Sequence, residues 1–439
     1  MIELLLILYG TETTRRRWWV LALAGAVWFA LGAFFFANAL IDEYRINPIY
    51  FAIPLAIDGA AALLGGLGIT GAGRALRFSK AAMFFALALI VLVTAGRADM
   101  VVGIAAGVFL VGDACWRAGT VYLVRFEGWH RAMLIAAFEF VIGIWFISPW
   151  PTHWRGSIGV DVGMLLMLSA VNTIAFAIRL ARLPPGVPFS KAVREGLLDP
   201  GAAERSPDAV DAVSPILTDE SKARRGSVIV HVWTPTGAIA RVDHAISRYI
   251  AAHDSSGTIS TGHAALEMAD IYISHYPAVE IERSPEDFRR VLRATHDNDV
   301  AGRFLPSHAE EVADWCEPTM NVQISGIDEA ALRRFWQHYS RNTTYNLTSR
   351  NCSSTVAAAL DAGLEGIFAP YARSPYFLLR LCFSPELLVA TRMRRRAASM
   401  AWTPGLVLDY ARALSYIVTL PERLHLKTPE RPSGELAIR

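Results

Sequence analysis

Thr348-Ser349-Arg350-Asn351-Cys352-Ser353-Ser354-Thr355-Val356, running on into Ala357–Gly363, is the stretch on which the reading of this chain turns. Asn351 is a favourable N-cap, the Ala/Val/Leu run behind it favours helix, and Gly363 is a stop signal. The pattern puts Cys352 in the first turn of a short helix. There the unpaired N–H groups and the positive end of the helix dipole favour thiolate over thiol. A cysteine at a helix start is more often inert than catalytic. To act as a nucleophile it needs a base beside it, usually a histidine brought in by the fold. The base candidate lies upstream, in Thr261-Gly262-His263-Ala264-Ala265-Leu266-Glu267-Met268-Ala269-Asp270-Ile271-Tyr272-Ile273-Ser274-His275-Tyr276-Pro277.

This second stretch reads as a β-hairpin, His263–Met268 and Ile271–Tyr276 around Ala269-Asp270. If the loop is Met268–Asp270, His263 and His275 oppose each other on one face, about 5 Å apart, and His275 can orient or polarise His263. A two-residue loop puts Tyr276 opposite instead, and Ser274 is the substitute for His275 as third member. Glu267, four residues along the strand from His263, is ~13 Å away and excluded as a direct partner. Val228–Trp233 reads as a buried strand in which His231 is a core histidine. Arg241–Ala252 has helical spacing, Asn321–Ile324 is a strand, and Asp328–Tyr339 is an amphipathic helix with Leu332, Phe335, Trp336 and Tyr339 on one face. Residues 278–318 are polar and give no clear period. Together these make a small α+β domain over 227–381.

The set of His263 at a strand start, Ala265, Asp270 in the turn, Tyr272 and His275 on the next strand, and a later Asn351-Cys352 at a helix start resembles the lecithin:retinol acyltransferase-like group. That group belongs to the permuted, NlpC-type branch of the papain-like thiol enzymes, in which the base precedes the nucleophile in the chain. The resemblance implies Cys352 as nucleophile, His263 as base and His275 as third member. Ala264 stands where an aromatic residue is common, and Ser353-Ser354 replace the residues that usually follow the cysteine, so the likeness speaks for the chemistry and leaves the substrate open.

The 439 residues carry a net charge of +2, which does not suggest a nucleic-acid partner. Four cysteines (Cys115, Cys316, Cys352, Cys382) without a C-x-x-C pair argue against a disulfide framework and a structural zinc site. Asp243-His244 and His253-Asp254 lack a third ligand at a convincing spacing, so neither a metal nor another cofactor is expected. Met1–Tyr9 is apolar but has no basic n-region, and does not read as a cleaved signal.

Over 15–182 the chain is dominated by apolar runs. Six are candidate spans: Trp18–Leu40, Pro48–Ile69, Ala81–Gly96, Met100–Tyr122, Met133–Ser148 and Ile158–Ile178. Thirteen basic residues flank one side of these spans and three the other, which places both termini and everything after the sixth span in the cytoplasm. Asp58, Asp113 and Asn172 recur in the even-numbered spans, 55 and 59 residues apart. Three helix pairs with short loops and Gly/Ala-rich faces resemble the HdeD-like acid-resistance membrane proteins. Asp58, Asp113, Glu139, Asp161 and Asn172 are the intramembrane polar residues, and Gly65, Gly66 and Gly68 suggest close helix contact.

Residues 183–226, rich in Pro, Ser, Ala and charge, read as a flexible linker with a short helix near Val193–Leu198. Residues 382–439 read as basic amphipathic helices and a tail, with Arg392, Arg394, Arg395 and Arg396 along Pro385–Met400 and a second helix after Pro404-Gly405. Such helices either close over the α+β core or lie on an anionic leaflet. The expected function is a membrane-anchored, cysteine-dependent acyltransferase or acyl hydrolase at the cytoplasmic membrane surface, with the bilayer as partner and an acyl-lipid or peptide as substrate. A cysteine peptidase or amidase of the same fold, and a non-enzymatic HdeD-like stress protein, are the alternatives. Nothing in the sequence indicates an oligomeric state.

Overall fold

The computed structural model describes residues 2–41, 72–93, 98–125, 129–150, 157–184, 186–194, 225–234, 252–253, 259–260, 262–279, 292–399 and 401–426, with short pieces in 50–63 and at 281. The second candidate span with Asp58 and Gly65–Gly68, most of the linker, and Arg241–Ala252 with Asp243-His244 fall largely or wholly outside the described residues. The chain divides into two compact units. One is 17–122 with 128–182; the other takes in 1–16, 123–127 and 183–439.

The first unit is a set of apolar helices: α3 (Trp18–Leu40), α4 (Ala72–Val93), α5 (Ala98–Val124), α6 (Trp129–Ile147) and α7 (Ser157–Arg182). Four described helices are long and apolar enough to cross a membrane: Trp18–Leu40, Met100–Val124, Trp129–Ile147 and Gly159–Arg182. Their outer faces carry Leu23, Val27, Phe34, Leu134 and Val141 in exposed positions, a pattern suited to lipid rather than water. Small residues set the helix contacts. A Cβ on Gly32 would sit 2.7 Å from the Gly163 carbonyl oxygen, and one on Gly107 would sit 2.6 Å from that of Gly143. The backbones of α3 and α7, and of α5 and α6, therefore approach as only glycine allows. Arg117 lies inside α5 rather than in a loop. Its guanidinium is 2.9 Å from Asp113 and 3.4 Å from Glu139, which gives two of the intramembrane carboxylates a common counter-ion.

The second unit is α+β. Its five-stranded antiparallel sheet runs in the order β6 (Gly302–Phe304), β5 (Ile271–Pro277), β4 (His263–Met268), β1 (Arg225–Trp233), β7 (Met320–Asp328). A separate ladder pairs β2 (Ala252–His253) with β3 (Ile259–Ser260). Side chains alternate across the sheet. Val228, Val230 and Val232 of β1 and Ala264, Leu266 and Met268 of β4 enter the main core. That core is completed by α10 (Glu329–Tyr339), α11 (Cys352–Leu364) and α14 (Pro404–Val418). The opposite face carries Trp233, Ala265 and Tyr272 as a smaller cluster and is covered by α9 (His308–Asp314).

Two apolar segments that the sequence reading left outside this unit belong to it. The start of the chain forms α1 (Ile2–Tyr9), with Leu4, Ile7 and Leu8 buried in the same core as the sheet. The N–H groups of Gly366 and Phe368 donate to the Ile7 and Leu8 carbonyls at 2.8 Å. In the stretch expected to be linker, α8 (Phe189–Arg194) buries Phe189 and Ala192. One carboxylate ties both segments down: Glu365 accepts from the Thr11 hydroxyl at 2.7 Å, the Phe189 N–H at 2.6 Å and the Ser190 hydroxyl at 2.6 Å.

The C-terminal helices close over the core instead of lying free. On α14, Leu406, Val407, Tyr410, Leu414 and Ile417 are buried. On α13 (Pro385–Ser399), Arg394 points inward to Asp361, which also accepts from Tyr410 Oη at 2.6 Å. Arg392 and Arg395 remain exposed.

Candidate active site

Cys352 is the first residue of α11, as the N-cap pattern predicts. Asn351 Oδ1 accepts from the Ser354 N–H at 2.8 Å, and the Ser354 hydroxyl accepts from the Asn351 N–H at 2.8 Å, a complete capping box. Further bonds from Asn351 Nδ2 to the Leu347 and Trp402 carbonyls, at 2.7 and 3.0 Å, hold the cap in place. The thiol is buried and faces His263, the first residue of β4, which is also buried.

The hairpin register decides which groups meet His263. Met268 pairs with Ile271 and Ala265 with Ser274, so the loop has two residues, Ala269-Asp270, and the three-residue loop that would oppose His263 to His275 does not form. Ala269 takes the positive φ (45°) that such a tight loop demands. Tyr276 then stacks on the His263 ring, centroids 4.1 Å apart. His275 lies one residue out of phase and so points to the other face of the sheet. There Nε2 donates to the Thr343 carbonyl at 3.2 Å, and Nδ1 lies 3.3 Å from Thr355 Oγ1. The structure thus does not bring His275 to the Cys352–His263 pair. Ser274, named as the substitute, does reach it: its Oγ is 2.9 Å from His263 Nε2.

A group absent from the sequence reading completes the set. Glu311 on α9 accepts from His263 Nε2–H at 3.1 Å, and its carboxylate also takes the hydroxyls of Tyr276, at 2.7 Å, and Tyr272. With Nε2 held by Glu311 and Ser274, Nδ1 is the imidazole nitrogen left for the thiol. Glu311 came from the stretch without clear periodicity. One local signal was present: Ser307 three residues before Glu310 marks a helix start, and the Ser307 hydroxyl does accept from the Glu310 N–H.

The electrostatics form one chain of opposing effects. Burial alone would raise the Cys352 thiol; the facing His263 charge and hydrogen bond, with donors from Ser353 and the Ala264 N–H, bring it below its ordinary value. Burial would lower His263, and Cys352 and Glu311 together push it up. Burial would raise Glu311, but His263, Tyr272 and Tyr276 hold it down at about 2. All three shifts favour thiolate, imidazolium and carboxylate in a row. Such a row holds a nucleophile ready-charged, with a proton on the neighbouring base to give to a leaving group.

Three of the four cysteines lie apart from any such row, with Cys115 and Cys316 exposed and Cys382 half-buried. No curated protein and no solved structure matches the chain. Residues 286–425, a stretch that includes Glu311 and Cys352 but not His263, match the family described as the IcsB middle domain.

Proposed function

We propose that this chain is a membrane-anchored thiol acyltransferase or acyl hydrolase of permuted papain-like architecture. The observation that carries the reading is the buried Cys352–His263–Glu311 row. Cys352 Sγ attacks the carbonyl of an ester or amide, and the oxyanion is held by N–H groups at the start of α11. As the tetrahedral intermediate collapses, the C–O or C–N bond breaks and His263 gives its proton to the departing oxygen or nitrogen. The acyl group is then a thioester on Cys352. Water or an acceptor amine attacks it, passes a proton to His263, and Cys352 leaves as thiolate. Glu311 keeps the imidazole oriented and supports its charge throughout. A peptidase or amidase would use the same steps on a peptide bond.

The membrane context favours a lipid acyl donor. In the unit that holds the row, α12 (Pro375–Cys382) presents Tyr376, Leu379 and the following Phe383 in exposed positions, with Leu388 nearby and Arg373 and Arg380 exposed beside them. An apolar ridge rimmed by arginines suits an anionic leaflet, and the chain enters the apolar unit on both sides of this domain's segments. Topology follows from the same fact. One folded body lies on one side of a membrane, and this one includes 1–16, 123–127 and 183–439. That division supports a topology with an even number of crossings between 16 and 123 and again between 127 and 183. Two of the four long apolar helices lie in the first interval and two in the second. Ala81–Val93 is a shorter apolar helix and the run 48–69 is apolar in composition, so the reading proposed is six crossings. The excess of arginine on that side assigns it to the cytoplasm.

The test is trapping with a thiol-reactive acyl probe followed by mass identification of the labelled residue. Labelling of Cys352, its loss in His263→Ala and its reduction in Glu311→Gln are expected. Equal labelling of Cys316 or Cys382, or full biological activity of Cys352→Ala, would sink the enzyme reading and leave the HdeD-like alternative. An externally active reporter fused after Arg439 should be silent.

A further inference from the structure

The sheet face that carries His263 holds a second cluster of ligating side chains. His231 from β1, Glu267 from β4 and His308 from the first turn of α9 each place one ligand atom within 4.8 Å of the others. Hydrogen bonding fixes where His231 carries a proton. Its Nδ1 lies 2.9 Å from Asn321 Oδ1, an oxygen that can only accept, so Nδ1 donates. A neutral imidazole then presents a lone pair at Nε2. That lone pair faces Glu267 Oε2, another acceptor, at 2.9 Å. Two acceptors at this distance need a proton between them, carried by either partner, or a cation beside them.

His308 separates these two solutions. Its ring stacks on His231, centroids 4.1 Å apart and planes 12° from parallel. Its Nε2 is buried and has no hydrogen-bond partner among the described residues. A proton between His231 and Glu267 satisfies both but leaves this nitrogen orphaned, a cost that folded proteins avoid. A cation reached by all three residues satisfies every one of them, once the His308 ring turns out of its stack on His231 so that the lone pair at Nε2, which lies in the ring plane, points at the ion. Asn321 then has the part of the outer partner that orients a ligating imidazole through its other nitrogen.

We propose that His231, Glu267 and His308 form a divalent-metal site of the zinc class, with an open position for water. Two imidazoles and one carboxylate are a zinc-type donor set. Bonds of about 2.1 Å put tetrahedral ligand atoms roughly 3.4 Å apart, so the widest separation has to close by up to about 1.4 Å and the 2.9 Å His231–Glu267 contact has to open by about 0.5 Å. His231 is buried, whereas Glu267 and His308 are partly exposed, which leaves a path from solvent.

The site has a consequence for the Cys352 row. The metal joins β1 and β4 to α9, and Glu311 lies one helical turn beyond His308. Tyr272, whose hydroxyl donates to Glu311, has its ring 6.4 Å from His231 and 6.2 Å from His308. Loading the site fixes the helix that presents Glu311 to His263, which makes the three ligands positioning residues.

The test uses the full chain in detergent, stripped with chelator, in a Cys352→Ala background so that the buried thiol cannot hold metal. Zinc ion alone is added. About one equivalent per chain should survive gel filtration, and the melting temperature should rise. His308→Ala and Glu267→Gln should each lose the zinc and the rise while keeping the circular dichroism of the parent. His296→Ala, at a histidine whose side chain is 95 % exposed, should keep both. Cobalt in place of zinc should give visible d–d bands without a thiolate charge-transfer band. Failure to retain zinc, equal retention in His308→Ala, or a thiolate band would each overturn the site, the last by assigning the metal to a remaining cysteine.

Discussion

At Cys352 two effects of similar kind oppose each other, and the pair wins over burial. A lone buried thiol is protonated and inert; a buried thiol against an imidazolium that is itself held by a carboxylate is charged. The alkylation rate of Cys352 should therefore reach its plateau at a pH below the free-thiol value of about 8.5. Glu311→Gln removes the charge that supports the imidazolium, so the midpoint should move upward, and His263→Ala should move it further. A midpoint unchanged by Glu311→Gln would mean that Glu311 does not act on the pair. His275 is set by a different balance. Burial lowers its pKa to about 4, the Thr343 carbonyl opposes this, and the Arg350 and His263 charges add to it. In the unfolded chain it takes a proton below its ordinary value of 6.5, whereas the folded chain refuses one until about 4. Its contribution is present above 6.5 and is lost as the pH falls to about 4. That contribution is at most ~3 kcal/mol. Denaturant unfolding should show this fall, and His275→Gln should flatten it while leaving Cys352 alkylation near wild type.

Among the elements, α13 shows why four neighbouring arginines are not equivalent. Arg394 is largely buried against Asp361 and Tyr410, so Arg394→Gln leaves the Asp361 carboxylate with the Tyr410 hydroxyl but without its counter-ion and should cost about 3–5 kcal/mol. Arg392→Gln and Arg395→Gln, on the exposed face, should stay within about 0.5 kcal/mol. Chemical denaturation of the three variants checks the difference. Helix α12 has the reverse character, because its outward face is the apolar one. Replacing Tyr376, Leu379 and Phe383 with Ser should weaken binding to anionic vesicles, with little loss of stability since none of the three is buried. Retained binding would move the membrane contact elsewhere on the molecule.

For the whole molecule, the segments flanking the apolar unit are structural parts of the α+β unit rather than tethers. Leu8→Ala, deep in a core formed mainly by residues more than two hundred positions later, should cost about 2–5 kcal/mol. A fragment beginning at Ser227 lacks α1 and α8 and should unfold at lower denaturant than the intact chain. Equal midpoints for the two would show that α1 packs on the core without supporting it. The arrangement also links the Cys352 helix to the segments at Thr11 and Phe189, since Glu365, just beyond the end of α11, is the residue that holds both.

Much of this molecule is local and was legible in the order of its residues. Asn351 with Ser354 caps α11 whatever surrounds it, and that places Cys352 at a helix start. The strand-like runs His263–Met268 and Ile271–Tyr276 make the hairpin, and the described apolar runs before 182 make helices. The tertiary structure decided the rest. One residue more or less in the turn at Ala269-Asp270 exchanges His275 for Tyr276 opposite His263, because side chains alternate with a period of two. Glu311 becomes the partner of His263 only when α9, a short helix from an aperiodic stretch, packs across the sheet. The stripes on α1 and α14 state that an apolar face will be covered; only packing decided that the cover is the α+β core and not a bilayer.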